Sequence, residues 1–459
     1  MSYTEDSVFQ TIQQIRIPSA VEKAVADAWS KWSGKQPQSV RIKLGLTNYK
    51  PFERARVMAE ATIAPGGSNQ ATITLNLFFQ IFAKAETALK EAGNGYSQNF
   101  FPCNGPPIFL IPDWHTVVWT LPNAPNMREL AQLLDPEHFC NLLVPPDELK
   151  GMNEADYPTP KLFRYVPLKR SLLTWEHPTT HSRYFAKLIN EDDAECVIRN
   201  FQIVDEVAKR DRLKFDVPQI VSYNPTIRTV LMTEVSGTQF TEIMRRALPE
   251  TFAQVGEVLG QLHYLNLDPK PVWTPQKELK ILSRHLKGAK LALPQLSSRI
   301  EGAIAKLKNL SKQFSFPQNQ PIHGNLFGDQ IHYNSNRIGI VDWDMLSAGD
   351  SLYDIGRLIA HLIYLAGREE ISPSAVSACV EALLRSYEAE TNRAIERSRL
   401  VWHIATQVLL RGKISSLRKL PEGWQTHLSF VVTECEKLLD GKSDYLSLPA
   451  LKYGVLSEV

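Results

Sequence analysis

The chain has 459 residues, more than one compact core accommodates, so two or three domains are expected. Apolar residues make up 43% and charged residues 22%, which sets aside the disordered, collagen-like and membrane-spanning classes. Lysine plus arginine is 51 against 49 for aspartate plus glutamate, and a net charge of +2 carries no electrostatic footprint for nucleic acid or an anionic membrane surface.

In chain order, the N-terminus MSYTEDSVFQ lacks the basic flank and apolar core of a signal peptide. AVEKAVADAWSKW sets Val21, Ala24, Val25 and Trp29 on one helical stripe. RVMAEATI and ATITLNLFF alternate in period two around the turn former APGGSNQ, which predicts a hairpin. PPIFLIP and TVVWTLP predict two short strands, and NMRELAQLLD a helix capped by Asn126. VPPDELKGMNEADYPTP loses all periodicity, and a domain boundary is expected near residue 155.

Strand patterns return in RYVPLKRSLLTWEH and SRYFAKLI, on either side of a His-Pro-Thr-Thr-His turn. A long amphipathic helix follows, with Ala194, Val197, Phe201, Val204 and Ala208 on its apolar stripe. TVLMTEV closes this β-rich block, and from residue 240 the pattern is mostly helical. The helical pattern is interrupted once, by IHGNLFGDQIHYNSNRIGIVDWD, residues 322–344. Five scattered cysteines read as free thiols of a reducing compartment, no ligand cluster suggests zinc, and no apolar run reaches the roughly 18 residues that span a membrane. A cytoplasmic protein is expected.

The interruption carries chemistry. IHY and IGIV read as two strands joined by the turn former NSNR. An antiparallel hairpin would bring Asn325 and Gln330, before the first strand, together with Asp342, after the second. Magnesium in a phosphate site takes hard oxygen ligands from one or two side chains, with phosphates and water supplying the rest. A converging carboxylate and carboxamide suit that role.

The stretch resembles the catalytic loop of the aminoglycoside/choline phosphotransferase family, part of the protein-kinase-like superfamily. The family's usual form is His-Gly-Asp, four residues, Asn, then a hairpin ending in Ile-Asp-Trp or Ile-Asp-Phe. Here His323-Gly324-Asn325 is followed by Leu326-Phe327-Gly328-Asp329 and then Gln330, and Val341-Asp342-Trp343-Asp344 ends the hairpin. Gln330 keeps an amide oxygen on a longer arm, and the Asp329-Gln330 pair resembles a bacterial subgroup with Tyr-Asp-Gln in this loop. AGDSLYDIGRLIAHL resembles the family's next helix start, with Asp350 read as a helix cap and Asp354 as a brace for the loop. LMTEVSG, residues 231–237, resembles the hinge that meets adenine, and His263 reads as a packing residue.

The resemblance implies an α+β, bilobal protein-kinase-like fold: a small β-rich lobe over 156–237 and a large helical lobe over 238–459, preceded by an α+β domain over 1–155. It implies ATP and Mg2+ as cofactors and a small-molecule hydroxyl, of a sugar or an amino sugar, as acceptor. Lys187 would hold the phosphates and Glu206 would orient it, with Glu195 as an alternative acid on the same helix face. Backbone N–H groups of LKRS or of the Thr179-Thr180-His181 turn would touch phosphate. Gln330 and Asp342 would bind metal with help from Asp344, and Asn325 would position the acceptor. Asn325 stands where the family has its catalytic aspartate, and an amide accepts no proton at neutral pH. Three readings therefore stand: an enzyme without its usual base, a nucleotide-binding pseudokinase read by a protein partner through residues 1–155, or a retained fold that binds no nucleotide. Asp329 is a further carboxylate of unassigned direction.

Overall fold

The computed structural model describes residues 3–66, 71–125, 127–335 and 337–446. Asn126 and the tip of the first predicted hairpin, residues 67–70, lie outside them. The described residues form two compact units. The first comprises Met1–Asp193, Val221–Met232 and Arg418–Leu420; the second comprises Ala194–Ile220, Thr233–Leu417 and Pro421–Val459.

In the first unit, α1 (Ser7–Ile15) and α2 (Pro18–Ser33) precede a five-stranded sheet. Pro18 starts α2 with its φ already helical, and Gly34 ends it at φ 71°, where a side chain would be strained. The predicted stripe faces inward, with Val21, Val25 and Trp29 buried. The sheet order is β1–β2–β3–β5–β4, from β1 (Pro37–Lys50), β2 (Arg54–Pro65), β3 (Ile73–Phe82), β4 (Ile108–Ile111) and β5 (Thr116–Thr120). β2 and β3 pair antiparallel as the alternation predicts, with Ala61 opposite Leu75. Helix α3 (Ala85–Tyr96) follows β3, and α4 (Glu129–Leu133) and α5 (Pro136–Leu143) follow β5. Helix α5 is capped by Asp135, which accepts from the His138 N–H at 2.9 Å, whereas α4 is one short turn with no side-chain cap.

A second sheet holds β6 (Lys161–Val166), β7 (Arg170–Glu176) and β8 (Arg183–Ile189). After β9 (Phe215–Asp216), which lies in the other unit, come β10 (Ile220–Asn224) and β11 (Thr229–Thr233). The order β10–β11–β8–β7–β6 makes β8 the central strand. Residues on both sides of position 155 pack into one core: Phe78, Trp119, Leu130 and Phe139 meet Leu173, Trp175, Ala186 and Leu231.

The second unit is mainly helical. It holds most of α6 (Glu191–Arg210), then α7 (Phe240–Met244), α8 (Pro249–Leu262), α9 (Pro275–Ala292) and α10 (Ser297–Leu310). Further on come α11 (Leu352–Ala366), α12 (Pro373–Thr391), α13 (Arg397–Gly412) and α14 (Trp424–Leu439). Every residue of α11 is buried, so this helix is the unit's axis. Ser372 caps α12 by accepting from the Ala375 N–H, and Pro373 occupies its first turn. Short strands insert between α10 and α11: β13 (Gln320–Ile322), β14 (Ile331–Asn334), β15 (Arg337–Ile340) and β16 (Ser347–Gly349), while β12 (Thr238–Gln239) edges β14. All five cysteines are free, and among the described residues no helix is long and apolar enough to cross a membrane.

Candidate active site

The stretch 322–344 folds as its pattern predicts. β14 and β15 pair antiparallel with Ile331 opposite Ile340 and Asn334 opposite Arg337. Beyond the paired strands, the Val341 N–H donates to the Gln330 carbonyl at 2.9 Å, which sets residue 330 across from Val341.

The loop ahead of the hairpin is fixed by one carboxylate. Asp354, in the first turn of α11, accepts from the His323 N–H at 2.6 Å and from the Gly324 N–H at 3.0 Å. His263 Nε2 donates to the same carboxylate at 3.3 Å, and His263 Nδ1 lies 3.1 Å from the Tyr387 hydroxyl. Asp354 is fully buried. Burial alone would raise its pKa, but the bond from His263, the nearby imidazoles and the His323 N–H outweigh it and hold the group below the usual carboxylate range. Both earlier readings hold: Asp354 braces the loop, and His263 is a packing residue that serves it. Gly324 has φ 77°, and a Cβ there would run into the Met345 carbonyl oxygen, so only glycine fits.

His323 ties loop to hairpin. Its Nδ1 accepts from the Asn325 N–H at 3.3 Å and its Nε2 lies 3.0 Å from the Val341 carbonyl. A carbonyl only accepts, so Nε2 carries the proton and the ring is neutral. Burial lowers its pKa in the same direction. The ring packs 4.8 Å from that of Trp343, whose Nε1 donates to Ile340. Asp350 accepts from the Leu352 N–H at 3.0 Å at the start of α11, and Arg399 and His403 flank its other oxygen.

The expected metal ligands stand in distinct settings. Gln330 is buried, and its Oε1 accepts from the Phe327 N–H at 3.2 Å, which uses one of two lone pairs. Asp342 is half-buried in a left-handed backbone conformation, φ 67° and ψ 53°. Asp344 is half-buried, and its backbone carbonyl accepts from Asn200 Nδ2 at 3.0 Å, as does that of Leu346 at 3.3 Å. Asn200 is fully buried on α6, and its Oδ1 has no hydrogen-bond partner. Sequence reasoning missed it. Asn200 thus ties α6 to the 344–346 segment.

Asn325 is held by a residue that sequence reasoning also missed. Arg357, one turn beyond Asp354, donates through Nη2 to Asn325 Oδ1 at 2.8 Å. A guanidinium cannot accept, so the amide is oriented: oxygen toward Arg357, NH2 away from it. Arg357 Nη1 also donates to the Tyr353 hydroxyl at 2.7 Å and to Gln407 Oε1 at 3.1 Å.

Lys187 is buried on the central strand β8, opposite Leu172 of β7. Glu195 and Glu206 are both exposed on α6, as a polar stripe predicts, and the neighbouring Asp205 is buried and accepts from the Ile220 N–H. The Thr179 and Thr180 N–H groups, expected to be free for phosphate, both donate to His177 Nδ1, at 3.2 and 3.1 Å. Their turn closes on its own histidine, which corrects that expectation.

The donor set fits magnesium with a nucleotide. Among the described residues no three His, Cys, Asp or Glu side chains cluster as a metal cage. Magnesium bound through phosphates and water needs none. The second lone pair of Gln330 and the carboxylate of Asp342 are hard oxygen donors of the right kind, and a metal there would neutralise charge developing on transferred phosphate.

Residues 163–397, just over half of the chain, match the model of the phosphotransferase enzyme family. The chain belongs to that family. The β-rich sheet with Lys187 and the helical unit with the 322–344 loop together make an α+β chain. Similar solved structures include a choline/ethanolamine kinase family protein from Mesorhizobium loti, 17% identical, with a TM-score of 0.46 over 67% of this chain and 98% of that one. A choline kinase from Cryptosporidium parvum is 13% identical, with a TM-score of 0.48 over 66% and 94%. An ADP-bound aminoglycoside phosphotransferase is 12% identical, with a TM-score of 0.41 over 65% and 98%. No curated protein matches the sequence.

Proposed function

We propose that this phosphotransferase-family chain binds ATP with Mg2+ and transfers the γ-phosphoryl group to a hydroxyl of a small molecule, a sugar or an amino sugar. The observation that supports the reading is the braced hairpin: Asp354 fixes the loop backbone, and the Val341–Gln330 bond carries the strand pairing up to the residue before Asp342. Phosphoryl transfer depends chiefly on positioning and on charge stabilisation, because its loose transition state asks little of a base. In this reading Lys187 holds the α- and β-phosphates with Glu206 as its orienting acid. Gln330, Asp342 and Asp344 hold the metal, and Asn325 positions the acceptor. The missing base lowers turnover by about 10²–10⁴-fold without abolishing it.

One observation favours the second reading, a nucleotide-binding pseudokinase acting through a protein partner. The only acceptor atom of the Asn325 amide is engaged by Arg357. The test is ATP–Mg2+ binding by calorimetry, followed by ATP consumption with a panel of sugars and amino alcohols. The enzyme reading predicts slow turnover that Lys187→Ala and Asp342→Asn abolish. Binding without turnover, with hydrolysis appearing in Asn325→Asp, establishes the pseudokinase instead. No binding, with no effect of Lys187→Ala, removes both.

A further inference from the structure

Two arginines meet over Phe327 of the loop. Arg357 is 5% exposed, yet its three hydrogen-bond acceptors are neutral: Asn325, Tyr353 and Gln407. Arg411, on α13, is half-buried and hydrogen-bonds to His361 alone. Both guanidinium groups sit on one ring, 4.2 Å and 4.4 Å from the centroid of Phe327. The Nε of each is buried without a hydrogen-bond partner.

Among the described residues no carboxylate forms an ion pair with either arginine. Glu278 lies one residue removed from Arg357, bound to Gln407, and is shared with His403. Asp329 acts on Arg411 electrostatically from beyond ion-pair range, and burial still lowers the Arg411 pKa to about 10. Buried cations are normally matched by carboxylates in contact, because an unmatched one is costly. Here two share one aromatic ring, where cation–π attraction compensates only in part.

Arg357 draws in the Asn325 oxygen, so the amide offers its NH2, and Arg411 adds a planar fork suited to an oxyanion.

We propose that the acceptor is an anion: a small alcohol that also carries a carboxylate or a phosphate, whose oxyanion binds the Asn325 NH2 and the Arg411 guanidinium. Arg357 is the positioning residue that orients Asn325. This rests on the phosphotransferase reading and narrows it from amino sugars to sugar acids or sugar phosphates.

The experiment uses the full chain with a non-hydrolysable ATP analogue and Mg2+. Glucose, glucosamine, gluconate and glucose 6-phosphate are titrated calorimetrically as matched probes. Gluconate or glucose 6-phosphate should bind at least about 10-fold more tightly than the other two. The tighter of them tells carboxylate from phosphate. Arg411→Met should remove the preference, Arg411→Lys should keep most of it, and affinity for the analogue should not follow either change. Equal or tighter binding of glucose or glucosamine, no binding of either anion, or a preference that survives Arg411→Met would overturn the proposal. Should Arg411→Met not fold, the wild-type panel decides. Failure of the ATP analogue to bind removes the phosphotransferase reading alone, because binding of inorganic phosphate and its loss in Arg411→Met are read without nucleotide.

Discussion

Replacing Asp354 with asparagine tests whether one carboxylate sets the loop. The carboxylate accepts three donors with two oxygens: His323 N–H at 2.6 Å and His263 Nε2 at 3.3 Å on Oδ2, and Gly324 N–H at 3.0 Å on Oδ1. Asparagine is nearly isosteric, so no cavity opens. Its single oxygen serves one side, and its NH2 then faces a donor on the other. In the better orientation the Gly324 N–H loses its acceptor; in the worse, the His323 N–H and His263 Nε2 both lose theirs. Hydrogen bonds to a charged group are worth about 1.5–3 kcal/mol, and an unsatisfied buried N–H costs about 1–3 kcal/mol. One lost bond, one orphaned donor and a weakened survivor total about 3–5 kcal/mol. The assay is hydrogen exchange resolved by peptide. A loss of about 3 kcal/mol speeds exchange of the 320–326 amides by roughly 10²-fold, where they open locally. Glu206→Gln, an exposed change, serves as control. Loop exchange unaltered in Asp354→Asn, or a uniform change across both units, would refute the brace.

Three further outcomes follow from the same geometry. Burial opposes a charge on His403, but Glu278 and Asp350 overcome it and raise its pKa to about 9. The folded value lies above the usual 6.5, so this stabilisation is complete below pH 6.5 and is lost as pH rises through 9; it amounts to about 3 kcal/mol, read as a falling urea midpoint that His403→Gln should flatten. Gly324→Ala meets the Met345 carbonyl at a positive φ and should lower the thermal midpoint of the second unit by several degrees, with about 2 kcal/mol or more lost. Asn325→Asp should pair with Arg357 and raise the unfolding free energy by about 1 kcal/mol, while weakening gluconate or glucose 6-phosphate through repulsion; tighter anion binding in that variant would contradict the donor-only site.

The parts of the site legible in the sequence are those written locally. The hairpin shows in period-two alternation around NSNR, and its register follows from the residues that must face the core. Asp350 and Asp354 announce themselves as polar residues opening an apolar helix. Arg357 carried the same signal, a charge inside DIGRLIAHL, but nothing local says what it points at. Its partner Asn325 is 32 positions away, and Arg411 is two helices further on. Asn200 was hidden differently, as a polar residue next to the apolar stripe of α6 whose contacts are backbone carbonyls near 345. Backbone partners leave no trace in side-chain pattern. The shared core of residues before and after 155 is likewise a matter of long-range packing between sheets and helices. The Thr179–Thr180 turn shows the reverse error: free-looking N–H groups were claimed by the histidine two and three residues earlier.

The left-handed backbone at Asp342 has a consequence for which acid can stand there. Left-handed geometry costs most L-residues about 1–2 kcal/mol, and asparagine and aspartate bear it best because their short polar arms bond locally. Glutamate has the same charge and a longer reach, but no such local bond. The position is therefore filtered twice, once by charge and once by torsion, and of the two acidic residues aspartate passes both. Conversely, Asp342→Asn silences the carboxylate while leaving the chain's path undisturbed, whereas an alanine there would confound lost chemistry with a relaxed turn.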